Sequence, residues 1–160
     1  MADEKKLRQA KVTFDTLCDM LDEREWKYDK DEDNFRIESG ASGEDLPMPI
    51  RIDVDPERDL ITLLSHMTFD IPEDKRVEMA IAVSAINYML VDGSFDYDVI
   101  NGTLVFRMTS SYKESLVGKE LFAYMLYVSC NTVDNYNDKL MLLAKGKLTL
   151  KAFVESIGEE

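Results

Sequence analysis

Histidine occurs once in this chain, as His66, and cysteine twice, at Cys18 and Cys130. A zinc site needs clustered Cys and His ligands, and two distant cysteines with one histidine do not supply them. Neither cysteine lies in a CxxC, no GxSxG occurs, and a lone strand histidine reads as a structural or solvated side chain. The thiols, each inside an apolar helical pattern, read as free and buried. No uninterrupted apolar run approaches the roughly 18 residues that cross a bilayer. The N-terminus MADEKKLRQA lacks the apolar stretch of a secretory signal. Positive charge is short as well: 19 Lys and Arg stand against 32 Asp and Glu, a net charge of −13. Such a surface repels phosphate backbones and anionic lipid heads, which argues against nucleic acid and membrane as partners. These absences lead us to expect a cytoplasmic protein, not an enzyme, with no metal and no cofactor.

What is present is ordinary globular material: 45% apolar and 32% charged over 160 residues, enough for one domain with a real core. Apolar groups at Leu7, Ala10, Phe14, Leu17, Cys18 and Leu21 mark a first helix over 4–22. Two short extended pieces follow around the acidic turn Asp31-Glu32-Asp33, then the Gly- and Pro-rich loop GASGEDLPMP. Ile50, Ile52 and Val54 alternate with polar residues, as do Ile61 and Leu63, so one sheet face is apolar and the other mixed. The acids of DVDPERD superficially suit a calcium loop. Arg58 and Leu64 stand where that loop needs Gly and Glu, so a hairpin turn is the better reading. GASG has no GK[ST] after it and is not a phosphate loop.

Pro72, Glu73 and Asp74 open a second helix. It carries two apolar stripes, Val77-Ala80-Ile81-Ser84-Ala85-Tyr88 and Met79-Val83-Ile86-Leu90. The sheet covers one. The other is covered by another helix of this chain or by a second subunit, and Met79, Val83, Ile86 and Leu90 are the expected partner or dimer surface. Asn101-Gly102 then predicts a type I′ hairpin between strands carrying Phe95, Tyr97, Val99 and Leu104, Phe106, Met108. From Glu114 to about Ala144 the pattern is helical again, with Leu126, Val133 and Leu140 seven apart. Gly146 ends that helix and Thr149 begins a short last one. Of the nine methionines several, Met67, Met79, Met108 and Met125, fall on core stripes, where they fill gaps.

The predicted class is α+β: an antiparallel sheet of about five strands with helices packed on one face, in the order α-β-β-β-α-β-β-α. Asn87, then Gly93 and Phe95 inside INYMLVDGSFDYD, and the aromatic-Arg pair Phe106-Arg107 in VFRM, resemble the motif of the YbjN-type domain family. The helix entry IPEDKRVEMAIAVSAIN and the tail NYNDKLMLLAKGKLTLKAFVESI are similar to it as well. The resemblance spans most of the chain from about Phe35 and implies one domain over 1–160 with a type III secretion chaperone-like fold. It implies structural roles for Asn87, Gly93, Phe95 and Arg107. It also implies a homodimer that binds a protein partner without catalysis, as a chaperone or a regulator. The alternative is a small-molecule or ion site between the sheet and the long C-terminal helix.

Overall fold

The structure, a computed structural model, describes residues 3–158. The ends of the 1–160 unit, with the first two residues of the charged N-terminus, lie outside them. Helix α1 (Glu4–Glu23) precedes four strands, β1 (Tyr28–Asp31), β2 (Arg36–Ser42), β3 (Pro47–Asp55) and β4 (Leu60–His66). A 3-10 turn (Glu73–Lys75) leads into α2 (Arg76–Met89). Strands β5 (Ser94–Asp98) and β6 (Thr103–Ser111), then α3 (Lys119–Ala144) and α4 (Leu150–Ile157), complete the chain. All strand pairs are antiparallel, in the order β1-β2-β3-β4-β6-β5.

The sheet has six strands where the sequence predicts about five. Four strands precede α2 where three are expected, because the two short extended pieces flanking Asp31-Glu32-Asp33 both pair as full strands, β1 and β2; β1, YDKD, is the shorter and more charged. Such a strand suits a sheet edge, where charge discourages pairing with another chain. The long helix also begins later than the pattern suggests. Glu114 has a positive φ of 52° and Gly118 is the N-cap, so 112–118 is a loop and α3 starts at Lys119.

The acids counted above have local tasks. Asp55 accepts the Glu57 and Arg58 amides at 2.8 and 3.2 Å in the β3–β4 turn. Asp31 accepts from the Asn34 amide at 3.1 Å in the β1–β2 turn. Asp98 accepts the Ile100 and Asn101 amides, at 2.9 and 3.1 Å. That last cap changes the predicted hairpin. The pairing ends at Asp98↔Thr103, leaving four residues in the loop, and only Gly102 takes a positive φ, 75°. The carboxylate holds Ile100 and Asn101 in place, so the two-residue turn does not form.

One face of the sheet is covered by helices. Ile37, Ile52, Val54, Ile61, Leu63, Phe106 and Phe95 point into the core, meeting Phe14, Leu17 and Leu21 of α1 and Phe122, Leu126, Val133 and Leu140 of α3. The other face is bare. It carries Arg36, Arg51, Asp53, Thr62, Leu64, Arg107 and Asp96, joined by ion pairs Arg36–Asp53 at 2.6 Å, Arg51–Asp53 at 2.7 Å and Arg107–Asp96 at 2.6 Å.

Tyr112 closes the structure at one end. It is fully buried, and its hydroxyl donates to Asp55 O at 2.8 Å while its amide donates to Asp59 O at 3.0 Å. Gln9 of α1 donates to its carbonyl at 2.8 Å. One residue thus ties the β3–β4 turn to α1. Burial, with Asp59 and Asp55 nearby, pushes its phenol up to about 12 from an ordinary 10. A raised phenol pKa means that the folded state holds its proton longer than the unfolded state does. The contribution is therefore whole below pH 10 and is lost as pH rises toward 12. In urea titrations Tyr112→Phe is expected to cost about 1 kcal/mol at neutral pH. Between those two pH values the wild type should lose stability more steeply than the variant; parallel pH profiles would refute the assignment.

Candidate functional site

The joint between α2 and β5 is built by the residues of the Asn–Gly-x-Phe pattern. β5 is an edge strand, and the backbone of Phe95 turns away from β6. The Asn87 side chain meets it: Nδ2 donates to Phe95 O at 3.0 Å, and Oδ1 accepts from the Phe95 amide at 2.9 Å. A carboxamide offers one donor side and one acceptor side, as a strand would, so α2 caps the sheet edge at this point. Gly93 has φ of 74°, and a Cβ there would collide with the Phe106 ring. That close approach lets Phe106 stack edge-on against Phe95 with ring centroids 5.2 Å apart, and Phe95 against Tyr136 of α3 at 6.2 Å. Arg107 lies on the other side of the sheet, paired with Asp96.

This anchoring decides which stripe of α2 turns inward, and it reverses the sequence expectation. Met79 and Ile86 are 0% exposed and Val83 is buried beside them, packed in this chain's own core, with Leu90 half-buried at the helix end. These four are therefore not the outer surface. Val77 is 72% exposed and Tyr88 92%, with Ile81 and Met89 also open to solvent. The two stripes are similar in apolarity, and Asn87 follows directly on Ile86; once its amide grips Phe95, the Met79-Val83-Ile86 side faces the core.

The outward stripe forms one wall of an open groove of about 800 Å³; α4 supplies the other with Val154, Ile157 and Gly158. α4 is placed by Thr149, whose hydroxyl accepts from the Ala152 amide at 3.2 Å, and by burial of Phe153 and Ile157. Val77, Ala80, Ile81, Ser84, Ala85, Tyr88 and Met89 complete the lining, and no lining residue is charged.

The groups considered for chemistry stay apart. His66 is exposed at the end of β4 on the bare sheet face. Cys18 and Cys130 are free thiols. Burial raises the Cys18 pKa, and burial with Asp134 nearby pushes Cys130 up to about 11, so both are held as unreactive thiols. Among the described residues, no three His, Cys, Asp or Glu side chains come together as metal ligands, and no helix is long and apolar enough to cross a membrane.

An antiparallel sheet with helices on one face only, built from these connections, is the architecture of the secretion-chaperone-like α+β class. A sequence model of the YbjN family, described as "Putative bacterial sensory transduction regulator", matches residues 13–141, and the chain belongs to that family. Solved structures share the fold. The crystal structure of YbjN from E. coli, there called "a putative transcription regulator", is similar with a TM-score of 0.56 at 17% identity, over 83% of this chain and 91% of that one. A chain of the HopA1-SchA chaperone-effector complex is similar with a TM-score of 0.56 at 12% identity, over 86% of this chain and 99% of that one. No curated protein matches by sequence.

Removing the Asn87 carboxamide leaves an amide and a carbonyl of Phe95 without partners, which typically costs about 1–3 kcal/mol. Asn87→Ala should lower stability by that amount in urea unfolding and speed hydrogen exchange at the Phe95 amide. Unchanged exchange at Phe95 would show that the cap is not made in solution.

Proposed function

We propose that the whole chain, residues 1–160, works as a non-enzymatic protein-binding module of chaperone-like or regulatory type. It acts in the cytoplasm as a homodimer joined through the outer face of α2 and α4. The observation that carries this reading is the uncharged groove. Two copies of a chain with net charge −13 repel each other over most of their surface. The Val77-Ile81-Tyr88 wall with Val154 opposite is a patch where they approach without opposing carboxylates. Contiguous exposed apolar surface of this kind marks an interaction site. A face built from one helix and its neighbour meets its own copy across a two-fold axis with the same residues on both sides.

The family and the fold support the binding role. The similar chain in the HopA1-SchA complex belongs to a chaperone–effector pair, which supports the reading that this chain binds a protein partner. The space between the sheet and α3 supports the small-molecule or ion alternative less well. Leu126, Val133 and Leu140 fill it, and the gap bounded by Leu46, Met67 and Val133 is too tight for a water molecule.

Light scattering should give the wild type twice its chain mass of 18.4 kDa. Ile81→Glu puts an unpaired carboxylate into the seam, at a cost of about 3 kcal/mol or more, so association should weaken at least about a hundredfold. The variant should scatter as a single folded chain with an unchanged circular dichroism spectrum. A wild-type mass of one chain at high concentration would overturn the dimer.

A further inference from the structure

Of the asparagines in the chain, Asn101 alone is followed by glycine. That pair is chemically unstable wherever the backbone is free. The glycine nitrogen attacks the asparagine Cγ, a C–N bond forms, and the Cγ–Nδ2 bond breaks. Ammonia leaves, carrying the proton of the glycine amide. The ring imide that remains takes up a water molecule and opens to aspartate or, through its other carbonyl, to isoaspartate. Solvent supplies that water, and neither oxidant nor reductant is needed. Glycine favours the attack because no Cβ shields its nitrogen and its backbone is free to reach the geometry.

In this fold the pair stands at the tip of the β5–β6 hairpin, with Asn101 exposed and Gly102 buried. Both nitrogens of the reaction are engaged by Asp98. Asn101 Nδ2, which must leave, donates to Asp98 Oδ2 at 2.7 Å. The Gly102 amide, which must attack, donates to Asp98 O at 2.7 Å. The Asn101 amide adds a third tie, to Asp98 Oδ1 at 3.1 Å. The carboxamide is thereby turned back toward residue 98 and not forward onto Gly102. An amide proton shared inside a closed turn is open to base only when the turn opens. The side chain and amide of Asn101 also hold the Asp98 carboxyl below the usual carboxylate range, so it stays an acceptor at neutral pH. Gly102 itself has little room to move: a Cβ there would lie 2.4 Å from Ile71 O and 3.1 Å from Arg76 Nε.

We infer that Asn101 is a deamidation site guarded by Asp98, and that it converts only when the hairpin tip opens. Asp98 acts as a positioning residue, holding the leaving nitrogen and the attacking nitrogen apart. Conversion would not be silent. The Ile71 amide donates to Gly102 O at 2.9 Å, and the Arg76 guanidinium donates to Ile71 O at 3.5 Å and to Ile100 O. The tip thus ties down the segment that leads into α2. An aspartate at 101 has no Nδ2 to give and sets a second carboxylate beside Asp98. An isoaspartate also lengthens the backbone of a loop that the Asp98↔Thr103 pair closes. Either product loosens the hold on Ile71 and on the start of α2. The inference stands independently of the protein-binding reading.

The test ages the full chain at physiological temperature and pH and follows residue 101 by peptide mass mapping, which reads the exchange of NH2 for OH. Native wild type should convert at least about tenfold more slowly than the same chain unfolded in guanidinium chloride. Asp98→Ala should convert at least about tenfold faster than native wild type. Asp98→Ser should be faster too: its hydroxyl still accepts an amide of the turn, but it is too short to hold Nδ2. The serine variant covers the case in which alanine does not fold, as circular dichroism will show. Asn101→Asp, the product itself, should speed hydrogen exchange at the Ile71 amide and leave the Phe95 amide unchanged. Equal rates in native wild type and the folded Asp98 variants would overturn the guard. Native conversion as fast as in denaturant would overturn it as well, and no conversion even in denaturant would overturn the site.

Discussion

The grip of one carboxamide on one edge residue orders much of this molecule. Asn87 takes both backbone groups of Phe95, so α2 is bolted to β5 in a single rotational setting. Gly93 lets the chain turn back tightly enough for Phe106 to meet Phe95, and Tyr136 of α3 closes on the same ring. With that setting fixed, Met79, Val83 and Ile86 go into the core, and Val77, Ile81 and Tyr88 are left outside. The outer groove is thus a consequence of how the inner face is anchored. An edge strand capped by a side chain is also closed to further pairing there.

Two features of the sheet divide the surface further. The covered face is continuous from α1 to α3, while the bare face carries Arg–Asp pairs, two of which share Asp53. Solvent-exposed pairs of this kind add little stability. Their effect is to neutralise a polar face, leaving Pro49, Leu64 and His66 as its open place.

Much of this was legible in the residues, and the failures have physical causes. The alternation at Ile50–Val54 and Ile61–Leu63 predicts the covered face, and Pro72 and Gly146 bound helices where expected, with α4 following from Thr149. The pieces on both sides of Asp31-Glu32-Asp33 read as extended, but β1, four residues with three charges, carries no period that marks it as a full strand of the sheet. The Asn101-Gly102 turn came out longer because Asp98 captured two amides that propensity alone assigns to a tighter turn. The choice between the two stripes of α2 was not in the pattern at all, since both are apolar; only the tertiary bond from Asn87 sets it. Pro47 and Pro49 were read as loop signals, yet both stand in β3. Their lack of N–H groups fits the end of the β3–β4 ladder at Arg51↔Leu64, a signal visible only once register is known.

In the proposed dimer a second copy covers the Val77-Ile81-Tyr88 side of α2. Tyr88 is 92% exposed in the single chain, which makes it the sharpest reporter. Hydroxyl-radical footprinting across a dilution series reads its access to solvent directly. Tyr88 and Met89 should be protected at high concentration and become reactive together on dilution, while buried Tyr112 stays unmodified throughout. Full Tyr88 reactivity at every concentration would contradict it.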